Sequence, residues 1–127
     1  MCSQRFGGRV ELRHVYVLEA HAADGWALKE DNEDEGVCVK QPKTLEQRVA
    51  AARLWVGSTD GAIPANRVLV DDMDNSVELA FEARPEKIVV VDGAADGGPT
   101  VLFNTGIGPY QYSVTRLEKF LEGEAAA

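Results

Sequence analysis

The stretch that decides the fold is "VELRHVYVL", residues 10–18. It begins by alternating, with Val10 and Leu12 apolar, and then becomes apolar through Val15, Val17 and Leu18. This change from alternation to a continuous apolar run is typical of a strand that enters a sheet covered on both faces. The stretch therefore predicts the first strand of a parallel sheet.

A helix, a strand and a second helix are predicted to follow. In "TLEQRVAAARLWVG" (44–57), Thr44 and Gln47 have the spacing of a capping box, and Gly57 is the predicted stop. Apolar side chains repeat at helical intervals and are expected to face inward: Leu45, Val49, Ala52 and Val56. "RVLVD" (67–71) predicts a short buried strand, and "NSVELAFEA" (75–83) a short helix capped by Asn75 or Ser76.

The last third of the chain predicts a hairpin and a closing helix. Two β-rich runs surround a Gly-rich turn in "KIVVVDGAADGGPTVLF" (87–103). "SVTRLEKFLEG" (113–123) predicts an amphipathic helix with Ser113 as its cap and with inward-facing Val114, Leu117 and Leu121. The order β–α–β–α–β–β–α predicts one α/β domain over residues 1–127, with parallel strands followed by an antiparallel hairpin.

Charge and composition exclude several classes of partner. The net charge is −8, and no cluster of Lys and Arg is present, so nucleic acid and anionic lipid are disfavoured as partners. No apolar run approaches the roughly 20 residues of a membrane-spanning helix. Cys2 and Cys38 make a poor disulfide framework and no zinc site. We therefore expect a reducing, cytoplasmic compartment, and an upstream membrane anchor stays open.

The stretch "EAH" (19–21), directly after the predicted first strand, contains the clearest candidates for catalytic side chains. Ligands of open α/β sheets bind beyond the carboxyl ends of the parallel strands. In extended backbone, Glu19 and His21 point the same way, so the carboxylate would orient an imidazole that exchanges protons near neutral pH. The alternative is a histidine that only satisfies a carbonyl of the turn.

Three other motifs favour structural interpretations. "DDMDN" (71–75) lacks the Gly and the distal Glu of a calcium loop, which favours helix capping. "GIGP" (106–109) follows a hairpin instead of opening a helix after a strand, which disfavours a phosphate site. Pro85 is expected to follow a trans peptide bond. Cys38 is expected to pack as a small apolar side chain, with a reactive thiol as the alternative.

Four blocks in order resemble the iodothyronine deiodinase family, with the bacterial and algal branch more similar than the vertebrate one. They are "VYVLEAHAADGW" (15–26), "QPKTLEQRVAAAR" (41–53), "VLVDDMDNSVELAFEARPEKIVVVDG" (68–93) and "GIGPYQYSVTRLEKFLE" (106–122). The resemblance implies a thioredoxin-like fold and the reductive removal of iodine from an aromatic ring. It also implies a thiol reductant as co-substrate and no bound cofactor, and it leaves a homodimer open.

The family's site residues carry over by position. His21 would contact the substrate or pass a proton, Glu19 would support His21, and Tyr16 and Trp26 would lie against the substrate. Cys38 is the candidate for a redox thiol within the chain. Where vertebrate members have a histidine and an arginine that hold the iodothyronine, this chain has Pro42 and Ile107.

The family's nucleophile, a selenocysteine or cysteine, is expected upstream of this sequence, together with a first strand and helix. Cys2 lies too close to Glu19 to be that nucleophile. Without the first strand, which is central in a thioredoxin-like sheet, the four strands are expected to form two separate pairs. We hypothesise that a selenocysteine codon was read as a stop and that the start was assigned to Met1.

Two other functions stay open. One is a peroxiredoxin-like thiol or selenol reductase that acts on another substrate, because the same fold hosts both activities. The other is a non-catalytic domain that binds a small aromatic ligand or a partner protein.

Overall fold

The computed structural model describes residue 6 and residues 8–19, 40–94, 96–108 and 110–126. The helices and strands in this part of the chain are β1 (His14–Tyr16), α1 (Leu45–Ser58), β2 (Val68–Val70), α2 (Ser76–Phe81), β3 (Val89–Asp92), β4 (Thr100–Asn104) and α3 (Val114–Ala126), with a short 3-10 helix at Ala65–Arg67. The predicted mixed α/β order is confirmed.

The chain divides into two compact units. One comprises Leu12–Phe81, and the other comprises Met1–Glu11 with Glu82–Ala127. That the whole chain forms one domain stays a prediction.

In the first unit, β1 and β2 form a parallel two-stranded sheet. His14 lies opposite Val68, and Tyr16 lies opposite Val70. The Asp71 N–H donates to the Tyr16 carbonyl at 2.9 Å, so the pairing extends one residue beyond β2. Both strands are only three residues long, and their carboxyl ends lie at the same edge of the sheet because they run parallel.

The cap of α1 is confirmed, whereas its predicted stop is wrong. The Thr44 hydroxyl accepts from the Gln47 N–H at 3.2 Å, and the Gln47 amide oxygen accepts from the Lys43 N–H at 2.8 Å. The helix continues through Gly57 to Ser58. A single glycine costs a helix only about 1 kcal/mol. The helix ends where the Thr59 N–H and hydroxyl both donate to the Val56 carbonyl, at 3.1 and 2.7 Å.

The inward face of α1 matches the predicted one only in part: Ala52 is buried as predicted, whereas Leu45 is not. Its buried residues are Arg48, Ala51 and Ala52, and Leu45 is 50% exposed. The spacing of the buried residues is still that of one helix face. The small alanine side chains leave room beside the long arginine, and this selects the buried face in place of the apolar repeat.

The cap of α2 also differs from the prediction. Asp71, which is buried, accepts from the N–H groups of Val77 and Glu78 at 3.0 and 2.9 Å. Asp72 accepts from the Ser76 N–H at 3.0 Å. Asn75 and Ser76 therefore do not supply the cap, since the two aspartates at the end of β2 satisfy the free N–H groups of the helix. The interpretation of "DDMDN" as capping sequence is confirmed.

In the second unit, β3 and β4 form the predicted antiparallel hairpin, with a register shift between Val90 and Val91. The α3 cap is confirmed, because the Ser113 hydroxyl accepts from the Arg116 N–H at 3.2 Å. A core of Phe6, Leu117 and Leu121 packs against partly buried apolar residues of α3, the hairpin and the segments beside them: Val10, Ile88, Val90, Phe103 and Phe120. Val114, predicted to face inward, is 45% exposed.

Two loops of this unit bear on earlier predictions. The Arg84–Pro85 peptide bond is cis, so the expectation of a trans bond is wrong. In the loop after β4, the Gly106 N–H donates to the Asn104 side chain at 3.0 Å, and the Gly108 N–H donates to the Glu86 carbonyl at 2.9 Å. These N–H groups therefore have acceptors within the protein.

The described strands form two separate two-stranded sheets. This confirms the expectation that the four strands of the sequence do not join into one sheet. Within the part of the chain that the structure describes, each strand pairs with one other strand.

Candidate active site

The candidate site lies at the carboxyl edge of the β1–β2 sheet. Glu19 follows β1, and the segment 71–75 follows β2. The segment that leads into α1 lies beside Glu19, because Gln41 hydrogen-bonds to it. Three parts of the chain that are far apart in sequence therefore meet at this edge.

The side-chain amide of Gln41 binds both the N–H and the carbonyl of Glu19. The Glu19 N–H donates to the Gln41 amide oxygen at 3.2 Å, and the Gln41 amide nitrogen donates to the Glu19 carbonyl at 2.9 Å. A side-chain amide that makes both bonds imitates a neighbouring strand. The backbone position of Glu19 is thereby fixed beyond the end of β1.

Arg48 lies at the base of the site and is only 1% exposed. Its Nη1 donates to the carbonyls of Asp71, at 3.2 Å, and Asp72. Its Nη2 donates to the Asn75 side-chain oxygen at 2.9 Å. One side chain from α1 thus fixes the whole turn between β2 and α2.

Asn75 suits this position for two reasons. Its backbone is left-handed, with φ of 57°, a conformation that Asn adopts more readily than most residues. Its amide oxygen is also the acceptor for Arg48. Glycine would supply the first property and not the second.

Burial raises the pKa of the Glu19 carboxyl above its ordinary value, and the positive charge of Arg48 acts in the opposite direction. Burial disfavours the charged form of a carboxylate, whereas a nearby cation favours it. The protonation of Glu19 therefore depends on Arg48 as well as on its own exposure. A carboxyl with opposing influences of this kind is typical of functional sites, and structural ion pairs show it too.

Tyr16 lies on the face of β1 that packs against α1. Its ring centroid lies 6.0 Å from that of Trp55, and the His14 ring lies 5.8 Å from Trp55 in an edge-on arrangement. Burial lowers the pKa of the His14 imidazole. These contacts give the Tyr16 ring a packing role, and its predicted contact with substrate stays a prediction.

His21, Trp26 and Cys38 lie outside the described residues. Their assignment as proton donor, substrate contact and candidate redox thiol therefore stays a prediction. Of the five predicted site residues, the structure describes Glu19 and Tyr16. Tyr16 is the last residue of β1, and Glu19 follows this strand.

Sequence reasoning missed Arg48 and Gln41. A signal for Arg48 was present, because an arginine that shares a helix face with two alanines at i+3 and i+4 has space to be buried. No comparable signal marked Gln41, since its role depends on a hydrogen bond to a residue 22 positions away.

Asp72 is exposed, yet its pKa is lowered, first by the hydrogen bond from the Ser76 hydroxyl and then by the bond from the Ser76 N–H. A lowered pKa stabilises the folded state above the ordinary pKa of aspartate, and this contribution is lost as the pH falls through the lowered value. We expect the melting temperature to fall on acidification from about pH 5 to about pH 2, and less steeply in Asp72→Asn. Melting curves followed by circular dichroism over this range will measure the difference. An identical slope in both proteins would contradict the assignment.

Two further findings concern the described residues only. None of their helices is long and apolar enough to cross a membrane. No group of three or more His, Cys, Asp or Glu among them is placed to hold a metal ion.

The described residues thus form mixed α/β units with a partly buried carboxylate beyond a parallel strand, and comparison with known proteins defines the family. The family model for iodothyronine deiodinase matches residues 3–125. The chain belongs to the iodothyronine deiodinase family, as its sequence blocks predicted.

Curated relatives agree with this assignment. The thyroxine 5-deiodinase of Sparus aurata is 32% identical over 108 residues, which cover 85% of this chain and 36% of the relative. The thyroxine 5-deiodinases of Homo sapiens and Rattus norvegicus are each 33% identical over 113 residues, covering 89% of this chain and 33% of each relative. The chain spans about a third of the length of these relatives.

Proposed function

We propose that this chain is part of an oxidoreductase that removes halogen reductively from an aromatic ring, with a selenocysteine or cysteine nucleophile that lies outside residues 1–127. The observation that carries the proposal is the match of the iodothyronine deiodinase family over residues 3–125. Thyroxine 5-deiodinase is the name of the relatives, and for this chain the substrate class is a halogenated aromatic compound.

A thioredoxin-like fold belongs to the same proposal. It is supported by the mixed α/β order and by the parallel pair β1–β2 and the antiparallel hairpin β3–β4, which form two separate sheets within the described residues. Unpaired strand edges invite pairing with a further strand. The family resemblance leads us to expect such a strand before the nucleophile.

The proposed chemistry balances as follows. The selenol or thiol of the nucleophile loses its proton and takes the halogen from the ring, so that a chalcogen–halogen bond forms and the carbon–halogen bond breaks. The ring carbon keeps the electron pair of the broken bond and receives a proton from His21. Two thiols of the reductant then release halide, regenerate the nucleophile and become a disulfide.

Within this scheme, Glu19 supports His21, and its fixed backbone serves that role. A residue that orients a histidine must itself be held, since general acid catalysis requires the donor within hydrogen-bond reach of the acceptor. The two hydrogen bonds between Gln41 and the backbone of Glu19 provide such a constraint. Tyr16 and Trp26 are the proposed contacts to the aromatic ring, and no bound cofactor is needed.

The test begins with the nucleotide sequence upstream of Met1. We expect an in-frame UGA or cysteine codon in a context similar to Cys/Sec-Pro-Pro-Phe. The extended polypeptide is expected to release iodide from iodinated phenols or iodothyronines with excess dithiothreitol, and to lose this activity when the nucleophile is replaced by serine. Unrelated noncoding sequence at this place would overturn the proposal. So would iodide release by residues 1–127 alone that Cys38→Ser abolishes.

In the extended polypeptide, Glu19→Gln is expected to lower kcat for iodide release on the order of 100-fold with little change in KM, because the amide cannot stabilise a charged imidazole. Glu11→Gln, an exposed carboxylate ahead of β1, is the matched control. Steady-state rates at several pH values will measure both variants. Equal kcat in Glu19→Gln and the unchanged protein would remove Glu19 from the mechanism.

Pro42 and Ile107 favour a second candidate function, the reduction of a substrate other than an iodothyronine by the same nucleophile. Pro42 is buried and Ile107 is 41% exposed, and neither side chain carries a charge or a hydrogen-bond donor. The substrate need not carry the charged amino-acid group of an iodothyronine. Reduction of peroxides by the same nucleophile is therefore assayed in parallel with iodide release. A serine or alanine at the nucleophile position would instead favour a non-catalytic binding domain.

A further inference from the structure

Gln41 makes a pair of hydrogen bonds to Glu19 that suits a side-chain amide. Its oxygen accepts from the Glu19 N–H at 3.2 Å, and its nitrogen donates to the Glu19 carbonyl at 2.9 Å. An amide carries an acceptor and a donor on one planar group, whereas a carboxylate offers acceptors and an ammonium group offers donors. Both bonds are partly buried, where a lost partner is costly. The residue type at position 41 therefore matches the backbone at position 19.

The bonds from Gln41 lie beyond the sheet itself. The pairing of β1 with β2 ends at Tyr16, whose carbonyl accepts from the Asp71 N–H. Glu19 follows this point, and its N–H and carbonyl bond instead to a residue 22 positions further along the chain. Gln41 thus supplies for Glu19 the kind of bonds that a neighbouring strand supplies within a sheet.

The chain around Gln41 is fixed by the start of α1. Pro42 is buried, and a residue before proline is restricted to extended backbone. The Gln47 amide oxygen accepts from the Lys43 N–H at 2.8 Å. Gln41 therefore reaches Glu19 from a segment that the helix holds in place.

We propose that Gln41 is a positioning residue for the proton-transfer step of the reaction, and that it acts on the main chain of Glu19 and not on its carboxyl group. A side chain starts from its own backbone, so fixing the N–H and carbonyl of Glu19 fixes the origin of its carboxyl group. The catalytic part of this role rests on the proposed function, whereas the hydrogen bonding does not.

The first experiment measures hydrogen exchange of the Glu19 N–H by nuclear magnetic resonance in the chain of residues 1–127. In the unchanged chain, we expect exchange that is slower than that of an unprotected amide. Gln41→Met removes both the acceptor and the donor, and it is expected to speed up the exchange on the order of 10-fold. Gln41→Glu keeps an acceptor for the N–H, so it is expected to retain most of the protection and to shift the carbon-13 signal of the Glu19 carbonyl. Equal exchange in the unchanged chain and in Gln41→Met would overturn the proposal.

Gln47→Met is the matched control, because it removes the same amide from the same part of the chain. Its amide oxygen bonds to the Lys43 N–H at the start of α1. This substitution is expected to lower the melting temperature and to leave the exchange of the Glu19 N–H unchanged. If Gln47→Met speeds up this exchange as much as Gln41→Met does, the start of α1 and not the Gln41 amide protects Glu19, and the proposal is refuted.

The second experiment measures iodide release by the extended polypeptide. Gln41→Met is expected to lower kcat about 10-fold with little change in KM, since it alters the position of a reacting group and not substrate binding. Relative to the unchanged protein, Gln41→Glu is expected to recover activity as the pH is lowered, because a protonated carboxyl again offers a donor to the Glu19 carbonyl. Gln47→Met is expected to keep its kcat. Unchanged kcat in Gln41→Met would leave Gln41 with a structural role only and would refute the proposal.

The two experiments fail separately. If Gln41→Met does not fold, the unchanged chain and Gln41→Glu still decide, and exchange of the Glu19 N–H at the rate of an unprotected amide would count against the proposal. If the extended polypeptide releases no iodide, the proposed dehalogenation fails together with the catalytic part of the role. The exchange measurement then still decides whether Gln41 fixes the backbone of Glu19, since it requires no turnover.

Discussion

Asp71→Ala is expected to lower the free energy of unfolding by about 2–4 kcal/mol. The Asp71 side chain is 2% exposed and accepts three backbone N–H groups, from Asp72, Val77 and Glu78, at 2.9 to 3.0 Å. Alanine would leave these donors without an acceptor in a partly buried place, where each unsatisfied group costs about 1–3 kcal/mol before water enters. Urea unfolding followed by circular dichroism and tryptophan fluorescence will measure the change.

Asp74→Ala is the matched control for this prediction. Asp74 lies in the same turn and is exposed, so its replacement is expected to change stability by less than about 0.5 kcal/mol. Asp71→Asn should fall between the two, because an amide keeps one oxygen acceptor and loses the charge. Equal midpoints for Asp71→Ala and Asp74→Ala would show that the cap of α2 does not stabilise this unit.

Leu117→Ala is expected to lower the free energy of unfolding by about 2–5 kcal/mol. Leu117 is 7% exposed and belongs to the core that Phe6 and Leu121 share with the hairpin. The truncation removes apolar contacts and leaves a cavity, which the short helix α3 and the two-stranded hairpin fill poorly. Thermal and urea unfolding will give the value.

Val114→Ala on the same helix is the control, since Val114 is 45% exposed. Its effect is expected to stay within about 0.5 kcal/mol. Equal destabilisation by both substitutions would show that burial of Leu117 does not explain the loss, and helix propensity could not explain it either, because alanine is the better helix former. A small effect of Leu117→Ala would mean that the described core contributes little to this unit.

The two predictions probe different sources of stability. In the unit Leu12–Phe81, buried Arg48 and Asp71 form a polar network with Asn75. Among the described residues of this unit, the buried apolar side chains are those of Pro42, Ala51 and Ala52. In the other unit, apolar packing of α3 on the hairpin dominates. A polar network specifies geometry well, which suits a unit that carries the candidate site.

The candidate site was predictable in part. The position of Glu19 after a strand could be inferred, because ligand sites of α/β sheets follow the carboxyl ends of parallel strands. Its partners could not be inferred. Gln41 approaches Glu19 through chain folding over 22 residues, and Arg48 of α1 reaches the turn 71–75 in the same way. A periodic pattern identifies a helix face without identifying what that face meets.

By itself, the sequence determined the order of helices and strands, the hairpin, the caps at Thr44 and Ser113, the family and the division of the strands into two pairs. These depend on local propensities, hydrogen bonds within a few residues, and sequence blocks. Only the tertiary structure decided that α1 buries Arg48 in place of Leu45, that Asp71 caps α2 from the end of β2, and that Gln41 fixes Glu19. Those outcomes depend on which polar groups share a buried space, because a buried donor or acceptor takes whatever partner folding brings within about 3 Å.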